Sequence, residues 1–139
     1  MAEINKINHV AMVVENLEKA LKFWEGQLGL ELDTIETVES MEVRIGFLPV
    51  GESKLELVEP LGSDSGVARF LNKRGPGMHH LCLEVDDIRG KLEQLAGEGV
   101  RLINEAPEVL DDGRMLAFIH PESTGGVLVE LYQLPGRKE

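Results

Sequence analysis

Met78-His79-His80-Leu81-Cys82-Leu83-Glu84-Val85-Asp86-Asp87 is the stretch on which the fold turns. It reads as a short strand that runs into a helix cap. A counterpart lies near the N-terminus, Ile7-Asn8-His9-Val10-Ala11-Met12-Val13-Val14-Glu15-Asn16. Laid over one another at one constant offset, His80 meets His9, Val85 meets Val14, Ile88 meets Leu17 and Leu92 meets Leu21. A second pair of stretches follows: Lys54-Leu55-Glu56-Leu57-Val58-Glu59 meets Leu128-Val129-Glu130-Leu131-Tyr132. The chain therefore reads as one unit used twice. Each copy places a histidine on its first strand and a glutamate on its last.

Working outward, the first copy runs strand, helix, three strands. Ile7 to Val14 is apolar and β-branched, and Asn16 is placed to cap a helix. Leu17, Ala20, Leu21, Trp24 and Leu28 recur at helical spacing, and Gly29 ends the run. Leu30 to Val38, Glu42 to Leu48 and Lys54 to Glu59 read as strands, the last two joined by a turn at Gly51-Glu52-Ser53. A connector follows, in which Asp64 or Ser65 caps a short helix through Val67, Phe70 and Leu71, closed by Gly75-Pro76-Gly77. The second copy repeats the plan. Met78 to Val85 is a strand, and Asp86 or Asp87 caps a helix with Ile88, Leu92, Leu95 and Ala96 on one face, ended by Gly97 and Gly99. Val100 to Ile103, Arg114 to His120 and Val127 to Leu134 read as strands, and the tail from Pro135 to Glu139 as frayed. The expected organisation is a single domain spanning 1–139, with module one at about 4–60, a connector at 61–77 and module two at about 78–134.

Composition bounds the function. The chain has 139 residues, 42% of them hydrophobic, which suits one compact domain with a real core. Its 14 basic and 25 acidic residues give a net charge of −11. No basic stripe offers a nucleic-acid surface, so no such partner is expected. An anionic substrate would need a metal or a few placed cations. No apolar run approaches the ~18 residues of a membrane helix. The N-terminus has neither a basic start nor an apolar signal core, so a cytoplasmic protein is expected. Cys82, the single cysteine, lies among Leu81, Leu83 and Val85 and reads as a buried structural thiol.

Strand alternation then gathers chemistry. His9 shares a face with Ile7, Ala11 and Val13, and Glu130 with Leu128 and Tyr132. Glu56 and Glu130 sit mid-strand, where carboxylates are disfavoured. If helices cover one sheet face, the other face of both copies forms a curved cleft. There His9, Glu56, His80 and Glu130 would meet around one divalent metal. Two imidazoles and two carboxylates suit manganese, iron, cobalt, nickel or zinc better than calcium. Four protein ligands on a six-coordinate ion leave two positions for substrate oxygens. Singly, a histidine on a strand is more often a hydrogen-bonded structural residue, and a glutamate more often solvated. The repeat is what raises the metal reading. His79, which aligns with Asn8, reads as structural or as support behind a ligand. His120-Pro121 and Asp111-Asp112-Gly113-Arg114 read as turns; Lys73, Arg74 and Arg114 are candidate phosphate contacts by charge alone, and each reads first as an ordinary surface residue.

These residues resemble the vicinal oxygen chelate superfamily, the glyoxalase/bleomycin resistance/dioxygenase group, and more narrowly its methylmalonyl-CoA epimerase family. The resemblance runs nearly end to end. It rests on Asn8-His9-Val10-Ala11, Pro60-Leu61-Gly62-Ser63-Asp64-Ser65 with Phe70-Leu71, Gly77-Met78-His79-His80 and Val85-Asp86-Asp87-Ile88. Ala117-Phe118-Ile119-His120-Pro121 and Gly125-Gly126-Val127-Leu128-Val129-Glu130-Leu131 complete it. It implies an α+β fold of two tandem βαβββ modules with a mostly antiparallel sheet. It further implies an isomerase that interconverts the C2 epimers of methylmalonyl-CoA with one divalent metal per chain, such as cobalt, manganese, nickel or zinc. The metal ligands it implies are His9, Glu56, His80 and Glu130, though some members carry glutamine at the Glu56 position. An acyl-CoA substrate and a homodimer follow from the same resemblance.

The pattern departs from the family at one point. Some members place a second glutamate on the third strand, where alignment puts Arg44. An arginine stays protonated, so it could bind a carboxylate or phosphate but not act as a base. Glu42 shares its strand face two residues away. Glu130, Glu42 and Arg44 are accordingly the catalytic candidates, with Glu130 as both ligand and proton carrier. Two other functions use the same scaffold: a glyoxalase I-type isomerase with the same ligand set, and a metal-free module that only binds small molecules. The connector and the C-terminal stretch argue against the first. The intact set of four ligand types argues against the second.

Overall fold

A computed structural model of the chain describes residues 2–136. The fold is mixed α+β, and the backbone gathers into two compact units. One holds residues 9–79; the other holds the residues up to Asn8 together with those from His80 onward. The division falls inside two strands, β1 (Ile4–Val13) and β5 (Gly77–Val85).

In the unit of residues 9–79, the rest of β1 leads into α1 (Leu17–Leu21), capped by Asn16, whose side chain accepts from the Lys19 N–H at 2.9 Å. β2 (Thr34–Val38), β3 (Val43–Val50), β4 (Ser53–Pro60) and α2 (Gly66–Arg74) follow. The strand order is β2-β3-β4-β1. β2, β3 and β4 are antiparallel neighbours, while β1 runs parallel to β4. Two apolar clusters fill opposite faces. Leu17 of α1 packs with Leu48, Leu57, Leu55 and Met12 on one. Val67 of α2 packs with Ala11, Val43, Val58 and Ile45 on the other. Gly46 lets α1 approach β3, since a Cβ there would lie 3.2 Å from Leu17 Cδ1. Ser65, not Asp64, caps α2.

The second unit contains β5 (Gly77–Val85) from His80 onward, α3 (Ile88–Gly97), β6 (Glu108–Val109), β7 (Met115–Ile119) and β8 (Val129–Gln133). The order is β5-β8-β7-β6, parallel for β5–β8 and antiparallel for the rest. Ile88 and Leu92 of α3 pack on Val85, Ala117, Ile119 and Leu131. Asp87 caps α3 through the Gly90 N–H at 3.0 Å. Asp86 instead accepts from the Glu3 N–H at 2.9 Å.

Three local expectations differ from what forms. The first helix does not stay α-helical to Gly29: Lys22–Gln27 is a π-helix, with the Leu28 N–H bonded five residues back to the Phe23 carbonyl at 2.7 Å. The wider turn keeps Trp24 against the core but leaves Leu28 53% exposed. The strand expected from Leu30 begins only at Thr34, because the preceding N–H groups are taken locally. Leu30 donates to the Trp24 carbonyl at 3.0 Å and Leu32 to Glu25 Oε2 at 3.2 Å. Val100 to Ile103 forms a single bridge, Leu102 to Ile119, rather than a strand. There Val100 donates to the Leu95 carbonyl at 3.0 Å and Arg101 to Ser123 Oγ at 2.8 Å. The short β6 was not foreseen. Of the tail read as frayed, residues 137–139 lie outside the described residues.

Candidate active site

Register decides which side chains meet. In the first unit Ala11 of β1 pairs with Glu56 of β4, and His9 with Lys54. The pleat sends His9, Ala11 and Val13 to the same face as Glu56 and Val58, away from α1. His9 Nδ1 lies 3.2 Å from Glu56 Oε2. His9 is 7% exposed and Glu56 9%, so both have given up most of their hydration. A buried carboxylate on an interior strand is costly unless it is paired; here the imidazole pairs it.

The second unit repeats this. Cys82 of β5 pairs with Glu130 of β8, and Phe118 of β7 with Glu130 from the other side. His80, Cys82 and Glu84 leave β5 on the face opposite to α3, together with Glu130 and Tyr132. His80 Nε2 lies 3.1 Å from Glu130 Oε1. Phe118 presents itself edge-to-face to the His80 ring, centroids 5.8 Å apart. Each unit thus carries one imidazole–carboxylate pair on the sheet face that its first helix does not cover, with His9, Glu56 and Glu130 buried and His80 partly buried.

Cys82 is fully buried, as expected, and forms no disulfide. On its strand it faces away from the apolar side of Leu83 and Val85. It stands between His80 and Glu84 on the polar face. Sequence reasoning also passed over Glu84, which is buried and accepts from Asn8 Nδ2 at 3.1 Å. Counting alternate residues from His80 finds both. Tyr132, two residues beyond Glu130, accepts a hydrogen bond from Arg114 Nη1 at 2.9 Å. Burial raises its phenol above the ordinary value, against the lowering effect of Arg114.

Two candidate catalytic residues do not join these pairs. Arg44 pairs with Glu59 across β3 and β4 and with Thr37 on β2, so it leaves the sheet on the α1 side. There Arg44 Nε donates to Glu59 Oε1 at 2.9 Å and Arg44 Nη2 to Glu18 Oε1 at 2.7 Å. Glu59 Oε2 also accepts from the Leu17 N–H at 3.2 Å. Arg44 therefore ties the start of α1 to the sheet, and the hydrogen bonds to Glu18 and Glu59 raise its already high pKa. Glu42 precedes β3 in a left-handed conformation, φ 56°, and its carboxylate lies over Gly62, where an added Cβ would clash with it. The β3 residues that do share the face of Glu56 are Val43, Ile45 and Phe47, none of them ionisable.

The remaining polar candidates take the expected structural places. His79 stacks edge-on against Phe70 at 5.0 Å. His120 Nδ1 accepts from the Glu122 N–H at 3.0 Å and caps a short 3-10 turn. Asp112 closes its turn by accepting from the backbone and side chain of Arg114. Arg74 lies over the Phe70 ring at 5.7 Å.

With this geometry in hand, comparison with known proteins is informative. Residues 8–118 match the family model of the Glyoxalase/Bleomycin resistance protein/Dioxygenase superfamily. The chain is 40% identical over 131 residues to the mitochondrial methylmalonyl-CoA epimerase of Bos taurus, covering 94% of this chain and 75% of that one. The chain belongs to the methylmalonyl-CoA epimerase family. It is accordingly an isomerase. The crystal structure of the Mycobacterium tuberculosis epimerase matches with a TM-score of 0.83 at 32% identity, covering 96% of this chain and 89% of that one. A variant of the Streptomyces coelicolor epimerase, in complex with 2-nitronate-propionyl-CoA, matches with a TM-score of 0.86 at 28% identity over 99% of both chains. Among the described residues no helix is long and apolar enough to cross a membrane.

Proposed function

We propose that the protein interconverts the two C2 epimers of methylmalonyl-CoA, using one divalent metal ion held by His9, Glu56, His80 and Glu130. What carries the reading is the recurrence, in both units of an epimerase-family chain, of an imidazole paired with a buried carboxylate on the side away from α1 or α3. The donor set fits such an ion. Two neutral nitrogens and two anionic oxygens match a first-row divalent metal, and the carboxylates offset its charge. When bound, the ion supplies Lewis-acid stabilisation of the negative charge that builds on the thioester oxygen as the C2 proton leaves.

The protein's own groups do the rest. Glu130 has two carboxylate oxygens, so one can serve as a ligand while the other takes up the C2 proton. The Phe118 ring, edge-on to His80 with centroids 5.8 Å apart, fixes that imidazole beside the carboxylate. Return of a proton to the opposite face of C2 completes the inversion.

The test is solvent deuterium exchange at C2 of methylmalonyl-CoA, followed by NMR with metal-loaded and chelator-treated protein. Exchange that requires the metal is expected. Absence of exchange in the loaded protein would overturn the function, and undiminished exchange after chelation would overturn the metal. The family resemblance also supports a homodimer; a monomer in sedimentation at micromolar concentration would overturn that.

A further inference from the structure

Lys54 sits where lysine is disfavoured. β4 is an interior strand of its unit, between β3 and β1. Lysine is depleted in strands and is tolerated best at sheet edges. Yet Lys54 is partly buried, with His9 as its partner on β1 and Pro49 as its partner on β3. The two-residue period sends its side chain to the face of His9 and Glu56, one pleat, about 6.6 Å, before Glu56. That is within the span of a lysine side chain. The three arginines of this unit are occupied elsewhere. Arg44 is clamped by Glu18 and Glu59 on the opposite face. Arg69 donates to the Asp64 carbonyl, and Arg74 covers Phe70.

Resting on the function proposed above, we propose that Lys54 recognises the free carboxylate of a 2-carboxyacyl thioester substrate. A chain of net charge −11 disfavours an anionic substrate, and a cation beside the reacting end offsets that. The ammonium is a compact charge with three donors and no acceptor, suited to a carboxylate presented beside the His9–Glu56 pair. It distinguishes a 2-carboxyacyl thioester from the simple acyl thioester of the same length.

The discriminating measurement is equilibrium binding of methylmalonyl-CoA and of propionyl-CoA to wild type, Lys54→Gln and Lys54→Arg. Propionyl-CoA lacks the carboxylate but carries the same coenzyme A phosphates. Wild type should prefer methylmalonyl-CoA. Lys54→Gln should weaken methylmalonyl-CoA by about tenfold to a hundredfold, the scale of one charge-assisted hydrogen bond. It should leave propionyl-CoA within about twofold, and Lys54→Arg should recover much of the loss. Unchanged methylmalonyl-CoA binding in Lys54→Gln overturns the proposal. Equal weakening of both thioesters also overturns it, because that is the signature of a phosphate contact or of a damaged fold. A wild type that binds both thioesters alike overturns it together with the substrate reading, whereas C2 exchange with an unaffected Lys54→Gln overturns it alone.

Discussion

Glu130→Gln separates holding a metal from moving a proton. The amide has the size of the carboxylate and keeps an oxygen that can ligate, but it cannot accept the C2 proton. Glu130 is 7% exposed, and its backbone lies between Cys82 on β5 and Phe118 on β7. The substitution leaves those ladders and the Leu131 side of the strand unchanged. It exchanges the charged contact to His80, 3.1 Å, for a neutral one. That difference is about 1 kcal/mol, or roughly 3–5 °C in Tm for a chain of this size. General-base catalysis contributes about 10²–10⁴-fold, so the exchange rate at C2 should fall by that factor, about 3–5 kcal/mol in barrier. The assay pairs elemental analysis of metal bound after loading with NMR-detected exchange on the same sample. Near-stoichiometric metal with exchange lost is the expected result. Wild-type exchange would refute Glu130 as the base. Loss of metal in proportion to activity would refute the separation of its two roles.

Other perturbations read other parts of the structure. His80→Ala removes a ligand outright, so metal affinity should fall by more than the about 10–100-fold typical of losing a supporting partner, with C2 exchange falling in parallel; a metal titration that overlays wild type would remove His80 from the ligand set. Arg44→Met should lower Tm while leaving exchange per folded molecule intact, and lost exchange with unchanged Tm would return Arg44 to catalysis. It should also flatten the acid limb of stability. The Arg44 hydrogen bond holds the Glu18 carboxyl below its ordinary 4.5. A depressed folded pKa contributes stability above the unfolded value that is lost as pH falls through the folded one, so wild type should lose more than Arg44→Met below about pH 4.5. Leu57→Ala empties a fully buried site beneath α1 and should cost about 2–5 kcal/mol in denaturant unfolding; a cost below about 1 kcal/mol would contradict that packing.

The doubled module was legible because both copies share a period, a cap and a histidine. Asn16 and Asp87 cap their helices, and the His9–Glu56 and His80–Glu130 pairs form as two-residue alternation implies. What failed to show was set by competition for backbone donors. Leu30 and Leu32 look like strand residues, but their N–H groups are taken by the preceding helical turns. Nothing in Lys22 to Gln27 announces a π-helix, since α and π turns bury nearly the same side chains and differ in where Leu28 ends up. For Cys82 the burial was legible, but the company it keeps was not. Its neighbours in sequence are apolar, but on a strand the neighbours that count are two residues away, and those are His80 and Glu84. Arg44 was drawn towards the catalytic face by family alignment, whereas its own register pairs it with Glu59.

The same register argument explains why each unit can tolerate buried charge. A mid-strand carboxylate pointing into a packed face would cost several kcal/mol if left alone. Glu56 and Glu130 are each offset by a histidine from the neighbouring part of their own unit. Glu84 is offset by Asn8. Among the described residues, no buried side-chain nitrogen or oxygen lacks a hydrogen-bond partner. The polar face is therefore self-satisfied before any ion enters, unlike zinc fingers, where the metal itself supplies the folding energy. An ion held by His9, Glu56, His80 and Glu130, as proposed, would replace these imidazole–carboxylate contacts rather than create order, and its affinity would be lowered by the strength of the contacts it displaces.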